Sequence, residues 1–247
     1  MEKELQKLVN LFSNKFITII YCESKKCDFI VNVKVPIRLD PDLNYKIGLI
    51  WLTCYNTIYN ITNENNSYTI DNVVKKFEPG AHEISNINKL FGGDNKSEKL
   101  LPDQKIGVFV DVSTSKCIMK IKEGSVLKFD EKSFFHTILG FKKGEYKSGE
   151  HKSDNIIQIT NITSMNVECD IVDGSYINGE KTNILYSWPS FTVDIGYKFL
   201  EKPNPITYLP VIRKLIDSIH IRIIDNNGNL INFNGETISI NLELTQV

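Results

Sequence analysis

SIHIRIIDNNGNLINFNGETISINLEL, residues 218–244, carries two runs of strict alternation. In the first, Ile219, Ile221 and Ile223 alternate with His220 and Arg222. In the second, Ile238, Ile240 and Leu242 alternate with Thr237, Ser239 and Asn241. A period of two belongs to a strand with one buried face, not to a helix. Between the runs lies Asp225-Asn226-Asn227-Gly228-Asn229. Asn and Gly reach positive φ readily, so this loop predicts a connector between two paired antiparallel strands.

The same reading extends toward the N-terminus. Residues 156–172 and 183–199 predict further long strands. Residues 16–21 and 29–35 are rich in β-branched and aromatic types, and the polar connector 22–28 suits a hairpin between them. Lys46 to Ile61 reads as one long strand, with shorter ones near 68–74, 106–112, 117–121 and 125–129. Helical turns are predicted only at 84–90 and at 133–141, the latter with a Ser133 N-cap and a Gly140 stop. Lys142 to Asp154, charged and glycine-containing, reads as an exposed loop. Outside the strand-rich domain, residues 1–14 read as a separate N-terminal helix or arm, since Leu5, Leu8, Val9, Leu11 and Phe12 fall near helical spacing. The fold class is therefore all-β with short helices, in one domain over 15–247.

Composition narrows the function classes. Of 247 residues 41% are apolar, too many for disorder, and a net charge of -1 gives no basic drive toward nucleic acid. The N-terminus lacks the apolar core of a signal peptide, and no apolar run is long enough to span a bilayer as a helix. The expectation is a chain made inside a cell and not secreted. Five irregularly spaced cysteines suit buried thiols in a reducing compartment better than a disulfide framework.

Catalytic and metal motifs are weak. Cys22 and Cys27 have C-x4-C spacing without a downstream partner pair, so an ordinary connector outweighs zinc. Asp225, Asn227, Asn229 and Glu236 fall at positions one, three, five and twelve of a calcium-loop template, but Leu230 stands where the template needs glycine. No nucleophile elbow, phosphate loop or paired carboxylates are legible. The reading is a non-enzyme without cofactor, metal or small-molecule substrate. Trp51, Tyr55 and Tyr59 recur at even spacing and would share one face of a strand. Core packing is the favoured account of them, ahead of a sugar platform or a subunit contact.

Punctuation is densest in the C-terminal third. Gly174 and Gly179 bracket Tyr176, and Pro203, Pro205 and Pro210 flank Tyr208. Prolines there interrupt pairing and send the chain along an edge or between sheets. Gly174, Tyr176, Gly179, Tyr208 and Pro210 are accordingly the candidate assembly or loop-shaping residues.

The same region carries a family resemblance. CDIVDGSYINGE (169–180), GYKFLEKP (196–203), TYLPV (207–211) and IDSIHIRIIDNNGNLINFNGETISINLEL (216–244) resemble the penton-type minor capsid proteins of Polinton (Maverick) elements, adintoviruses and virophages. PGAHEISNINKL (79–90) and FHTILGF (135–141) look similar too. The resemblance implies a single jelly-roll β-sandwich, a pentamer at the vertices of an icosahedral virion shell, and a neighbouring major capsid protein as partner. Length favours one sandwich of about eight strands over the double jelly roll of a hexon-like major capsid subunit. A non-enzymatic β-sandwich binding or interaction module is the competing class.

Overall fold

The computed structural model describes residues 17–83, 86–94, 99–130, 135–159, 162–189 and 193–247; the N-terminal helix or arm at 1–14 lies outside them. In chain order the strands are β1 (Ile17–Ser24), β2 (Asp28–Arg38), β3 (Tyr45–Tyr55), β4 (Ser67–Ile70), β5 (Val73–Lys76), β6 (Ile106–Asp111), β7 (Lys116–Phe129) and β8 (Gly144–Ile156). They continue as β9 (Ser164–Cys169), β10 (Ser175–Ile177), β11 (Glu180–Thr182), β12 (Ile184–Pro189), β13 (Lys198–Glu201), β14 (Tyr208–Pro210), β15 (Leu215–Asp225) and β16 (Ile238–Gln246). Two short helices, α1 (Ile87–Leu90) and α2 (Phe135–Leu139), complete the set among the described residues. These elements fall into two compact units: Met1–Thr57 with Ile162–Val247, and Ile58–Asn161. The stretch read as one domain thus divides at two seams, neither marked by a change of composition.

The first unit holds two antiparallel sheets. One runs β1-β16-β3-β13, and the other runs β12-β9-β15-β2. β13 pairs with Leu52 to Tyr55 of β3 and β14 with Lys46 to Gly48, so these two short strands fill one position between them. The pairing is nested: β1 with β16, β2 with β15, β3 with β13 and β14, β9 with β12. A nested antiparallel ladder whose successive pairs fall in opposite sheets is a jelly roll of eight strand positions. The predicted single jelly roll is what this unit is.

Inward residues follow the sequence alternation. Ile219, Ile221 and Ile223 on β15, and Ile238, Ile240, Leu242 and Leu244 on β16, are fully buried. Each such side chain contributes roughly 1.5–3 kcal/mol by leaving water. Trp188 of β12 stacks near Phe199 of β13 at 6.3 Å between centroids, and the Tyr186 hydroxyl donates to Glu201 Oε1 at 2.7 Å. Both contacts join one sheet to the other.

Alternation gave the strands but not their partners. β15 and β16 lie in different sheets, as do β1 and β2, so neither expected hairpin forms. Each connector carries the chain across the sandwich. The long strand expected at 46–61 ends at Tyr55, 183–199 splits into β12 and β13, and 156–172 shrinks to β9.

The second unit, between β3 and β9 in sequence, centres on β7. β8 pairs along one edge of β7, and β6 and β4 share the other. The two strands expected at 117–121 and 125–129 are one, with a register shift between Ile121 and Val126. Residues 142–154, expected as a loop, mostly form β8: the ladder with β7 satisfies their backbone whatever their charge. A separate core includes Ile87, Met119, Leu127, Phe129, Phe135 and Leu139. Asn88 of α1 accepts from the Val108 amide at 3.1 Å, which ties that helix to β6.

Candidate assembly surface

Gly174, Tyr176 and Gly179 belong to one small hairpin, β10 with β11. Asn178 and Gly179 have φ of 51° and 87°. Positive φ at both central residues is the type I′ turn whose twist suits a two-residue hairpin. Tyr176 stands opposite Lys181 and is 66% exposed, so it packs into no core. Lys181 Nζ reaches Asp173 Oδ2 at 2.8 Å across the base of the hairpin, and this partner holds the Asp173 carboxyl below its ordinary range.

Tyr208 and Pro210 lie on β14, at the edge of β3. The Tyr208 hydroxyl donates to Glu243 Oε1 at 2.7 Å, which raises the phenol's pKa. Gly48 of β3 lies beneath: a Cβ there would sit 2.7 Å from Ile206 and 2.9 Å from the Tyr208 ring. The glycine thus allows this segment to lie flat on the sheet. Pro210 accepts from the Asp173 amide at 3.1 Å, and its Cδ lies 3.6 Å from where a Gly174 Cβ would be. Gly174 and Pro210 are therefore neighbours, a juxtaposition that spacing alone does not reveal. Tyr176 and Gly179 extend away as the exposed tip, and Tyr208 is bonded back onto the sheet.

Trp51 and Tyr55 correct the core-packing expectation. A bulge in β3 between the pairs Asn241↔Trp51 and Leu242↔Leu49 shifts its phase. Ile47 and Leu49 point inward before it, Leu52 and Cys54 after it, so Trp51, Thr53 and Tyr55 face outward. Tyr59 lies beyond the strand. Tyr21 of β1 is the ring beside Trp51, at 5.9 Å between centroids and tilted by 54°. The outward row Ile17, Ile19 and Tyr21 was not singled out by sequence reading, although its alternation with the buried Ile20 and Cys22 was available.

The outer face of the other sheet is ionic. Arg222 Nη1 donates to Glu168 Oε2 at 2.7 Å, and His220 Nε2 lies 2.6 Å from Asp28 Oδ1. Arg213 Nη2 pairs with Asp170 Oδ2 at 2.6 Å.

Asp225 Oδ1 accepts from the backbone amides of Asn227 and Asn229, at 2.8 and 2.9 Å. The carboxylate of the calcium-like sequence is therefore engaged in shaping its own loop. Cys22, Cys27, Cys54, Cys117 and Cys169 are all buried free thiols, and burial pushes them up to about 11 for Cys22 and about 12 for the others. No group of three or more metal-ligating side chains occurs among the described residues, and no helix among them is long and apolar enough to cross a membrane.

No family model matches the sequence, and no curated protein matches it. Among solved structures, the chain is similar to the mavirus penton protein, at 11% identity and a TM-score of 0.49, over 94% of this chain and 100% of that one. It is also similar to a chain in the 3.5 Å cryo-EM structure of the Sputnik virophage, at 10% identity and a TM-score of 0.43, over 92% of this chain and 98% of that one. The jelly-roll assignment rests on the nested strand pairing itself.

Proposed function

We propose that this chain is a non-enzymatic structural subunit of an icosahedral virion capsid, of penton type, which assembles as a homopentamer beside a major capsid protein. One observation carries the reading: the four C-terminal pieces that resemble penton-type capsid proteins fall, in order, on the second half of a single nested jelly roll, while PGAHEISNINKL and FHTILGF fall in the second unit. CDIVDGSYINGE covers the end of β9 and most of the β10–β11 hairpin, GYKFLEKP covers β13, TYLPV covers β14, and residues 216–244 cover most of β15 and β16. Fold alone would not suffice, because sandwiches host many functions. The described residues hold eight jelly-roll strand positions, one sandwich's worth, which supports a vertex subunit over a hexon-like one. Gly174, Tyr176, Gly179, Tyr208 and Pro210 are proposed to shape the loops that this assembly uses. A heterologous contact that closes after five copies gives the ring.

Light scattering of the purified chain over a range of concentrations and salt strengths tests this. Five copies of 28.3 kDa give a particle of about 140 kDa. Three copies, about 85 kDa, would favour the hexon-like alternative. A monomer under every condition refutes the homopentamer and leaves the binding module as the better account.

A further inference from the structure

We infer that β1, through the edge that no described strand covers and the outward row Ile17, Ile19 and Tyr21, is the surface on which a second copy of this chain docks. The inference rests on the capsid-subunit reading and names the contact that reading needs. An exposed strand edge invites pairing with another chain, and proteins guard such edges with charge, proline or bulges. The other edges of the sandwich are guarded. β2 carries Lys34 and Pro36 and loses register between Ile216 and Ser218 of its partner. β12 ends at Pro189, β13 is bounded by Lys198 and Glu201, and β14 ends at Pro210. Between Ile17 and Cys22, β1 has no charge, proline or glycine, and among the described residues it pairs on one side only, with β16.

Beside that edge the outward row of β1 is apolar, while the next row, on β16, is the polar Ser239, Asn241 and Glu243. Ile17, Ile19 and Tyr21 are 56%, 52% and 54% exposed, and Leu200 of β13, at the far side of the same sheet, is 50% exposed. Trp51 and Tyr55 lie between them on the outward face of β3. Large side chains bury on the order of 150–250 Å² each, so the β1 row of three at about half exposure offers roughly 300 Å² of mostly apolar surface. That lies within what a monomer typically exposes in one patch and is under half of the roughly 800 Å² that each partner contributes to a standard interface, so the strand edge supplies the rest of the contact.

Across the sandwich, the opposite face carries the ion pairs Arg222–Glu168 and Arg213–Asp170. The opposite sheet also exposes Ile30 and Val35, but on β2, the edge that Lys34 and Pro36 guard. In a closed five-membered ring the contact is heterologous, so β1 meets a different surface of the next copy. A β1-to-β1 contact would be isologous and stop at a dimer.

The test compares the full chain with Ile19→Lys and Ile30→Lys by concentration-dependent light scattering, with thermal midpoints recorded alongside. Ile19 stands opposite Glu243, so lysine adds no like-charge pair within the sheet. Ile30, 61% exposed on the opposite face, is the control. The expected result is an oligomer for wild type and Ile30→Lys, and association at least tenfold weaker for Ile19→Lys with its thermal midpoint kept. An Ile19→Lys chain that keeps the wild-type mass at every dilution overturns the inference while leaving the pentamer reading intact. A wild-type dimer broken by Ile19→Lys supports the docking surface and overturns the pentamer. A wild-type monomer at every concentration overturns both. If Ile19→Lys fails to fold, hydrogen exchange on wild type decides: β1 amides must slow as concentration rises, and unchanged exchange refutes the contact.

Discussion

Replacing Gly140 with alanine probes how tightly the second unit is closed. Gly140 ends α2 with φ of +77°, where its amide donates to Thr137 O at 3.1 Å. A Cβ at this position would lie 2.3 Å from the Asn155 carbonyl oxygen and 2.8 Å from that of Ile156. Both are backbone atoms of β8, which cannot swing aside as the end of a long side chain can. The left-handed conformation costs alanine about 1–2 kcal/mol. Relieving the clash pulls β8 away and breaks the bond from the Asn155 amide to Gly140 O, 2.9 Å long, worth about 1 kcal/mol. Leu139 and Phe141, both buried, then lose packing. The sum is about 3–4 kcal/mol.

Gly124 supplies the comparison in the same unit. Its φ is +80°, but a Cβ would find no atom within 4 Å. Gly124→Ala should therefore cost only the conformational term of about 1–2 kcal/mol. Urea denaturation of both variants, read at equal m-value, measures the difference. Equal losses, within about 0.5 kcal/mol, would refute the steric argument and with it the close packing of β8 against the α2 terminus.

Three further outcomes follow from the thiols, the carboxylates and the bridging tyrosine. Because burial raises all five cysteine pKa values above the ordinary thiol value of 9.0, to about 11 or 12, the folded state favours the neutral thiol. That stability is fully present below pH 9 and is lost as pH rises toward 12; native protein should also resist thiol reagents that label all five cysteines after unfolding. Asp111 is held well below the usual range by Lys152, Ser113 and Thr114, so its contribution is present above about pH 4 and lost as pH falls. Asp111→Asn should flatten the acid limb of the melting profile, and an unchanged limb would refute the role. Tyr186→Phe removes the hydroxyl that reaches Glu201 across the sandwich and should cost about 1 kcal/mol in urea melts; no loss would mean that water replaces the bond at no cost.

Class and local state were legible because they depend on neighbours in sequence. The buried and exposed positions of β15 and β16 match their alternation, and α2 stops at Gly140 as its glycine predicts. Candidate loop residues were legible for the same reason: only glycine, proline and asparagine supply the turn at 178–179 and the broken edge at 203–210. The outward row of β1 was overlooked, although it obeys the same rule, because exposed isoleucines mean nothing until the partner sheet is known.

Partnership was not legible, and the jelly roll explains why. Alternation says which side chains enter the core but not across which ladder, since either sheet presents the same inward face. Ile221 and Ile240 look equivalent in sequence, yet they enter the core from opposite sheets. In a nested ladder the strands closest in sequence are sent to different sheets, so the cue of a short Asn-Gly loop points to the wrong neighbour. The loop at 225–229 does turn back on itself, with Asp225 Oδ1 accepting two backbone amides and a single antiparallel bridge between Ile224 and Leu230, but the strand that follows leaves for the other sheet. The β3 bulge was invisible for a related reason: one extra residue inverts Trp51 and Tyr55 from inward to outward, and only the register with β16 reveals it. That inversion places both aromatic rings on the outward face of the sheet, with Trp51 beside Tyr21 of the β1 row, so the feature hidden from sequence adds a ring next to the proposed docking surface.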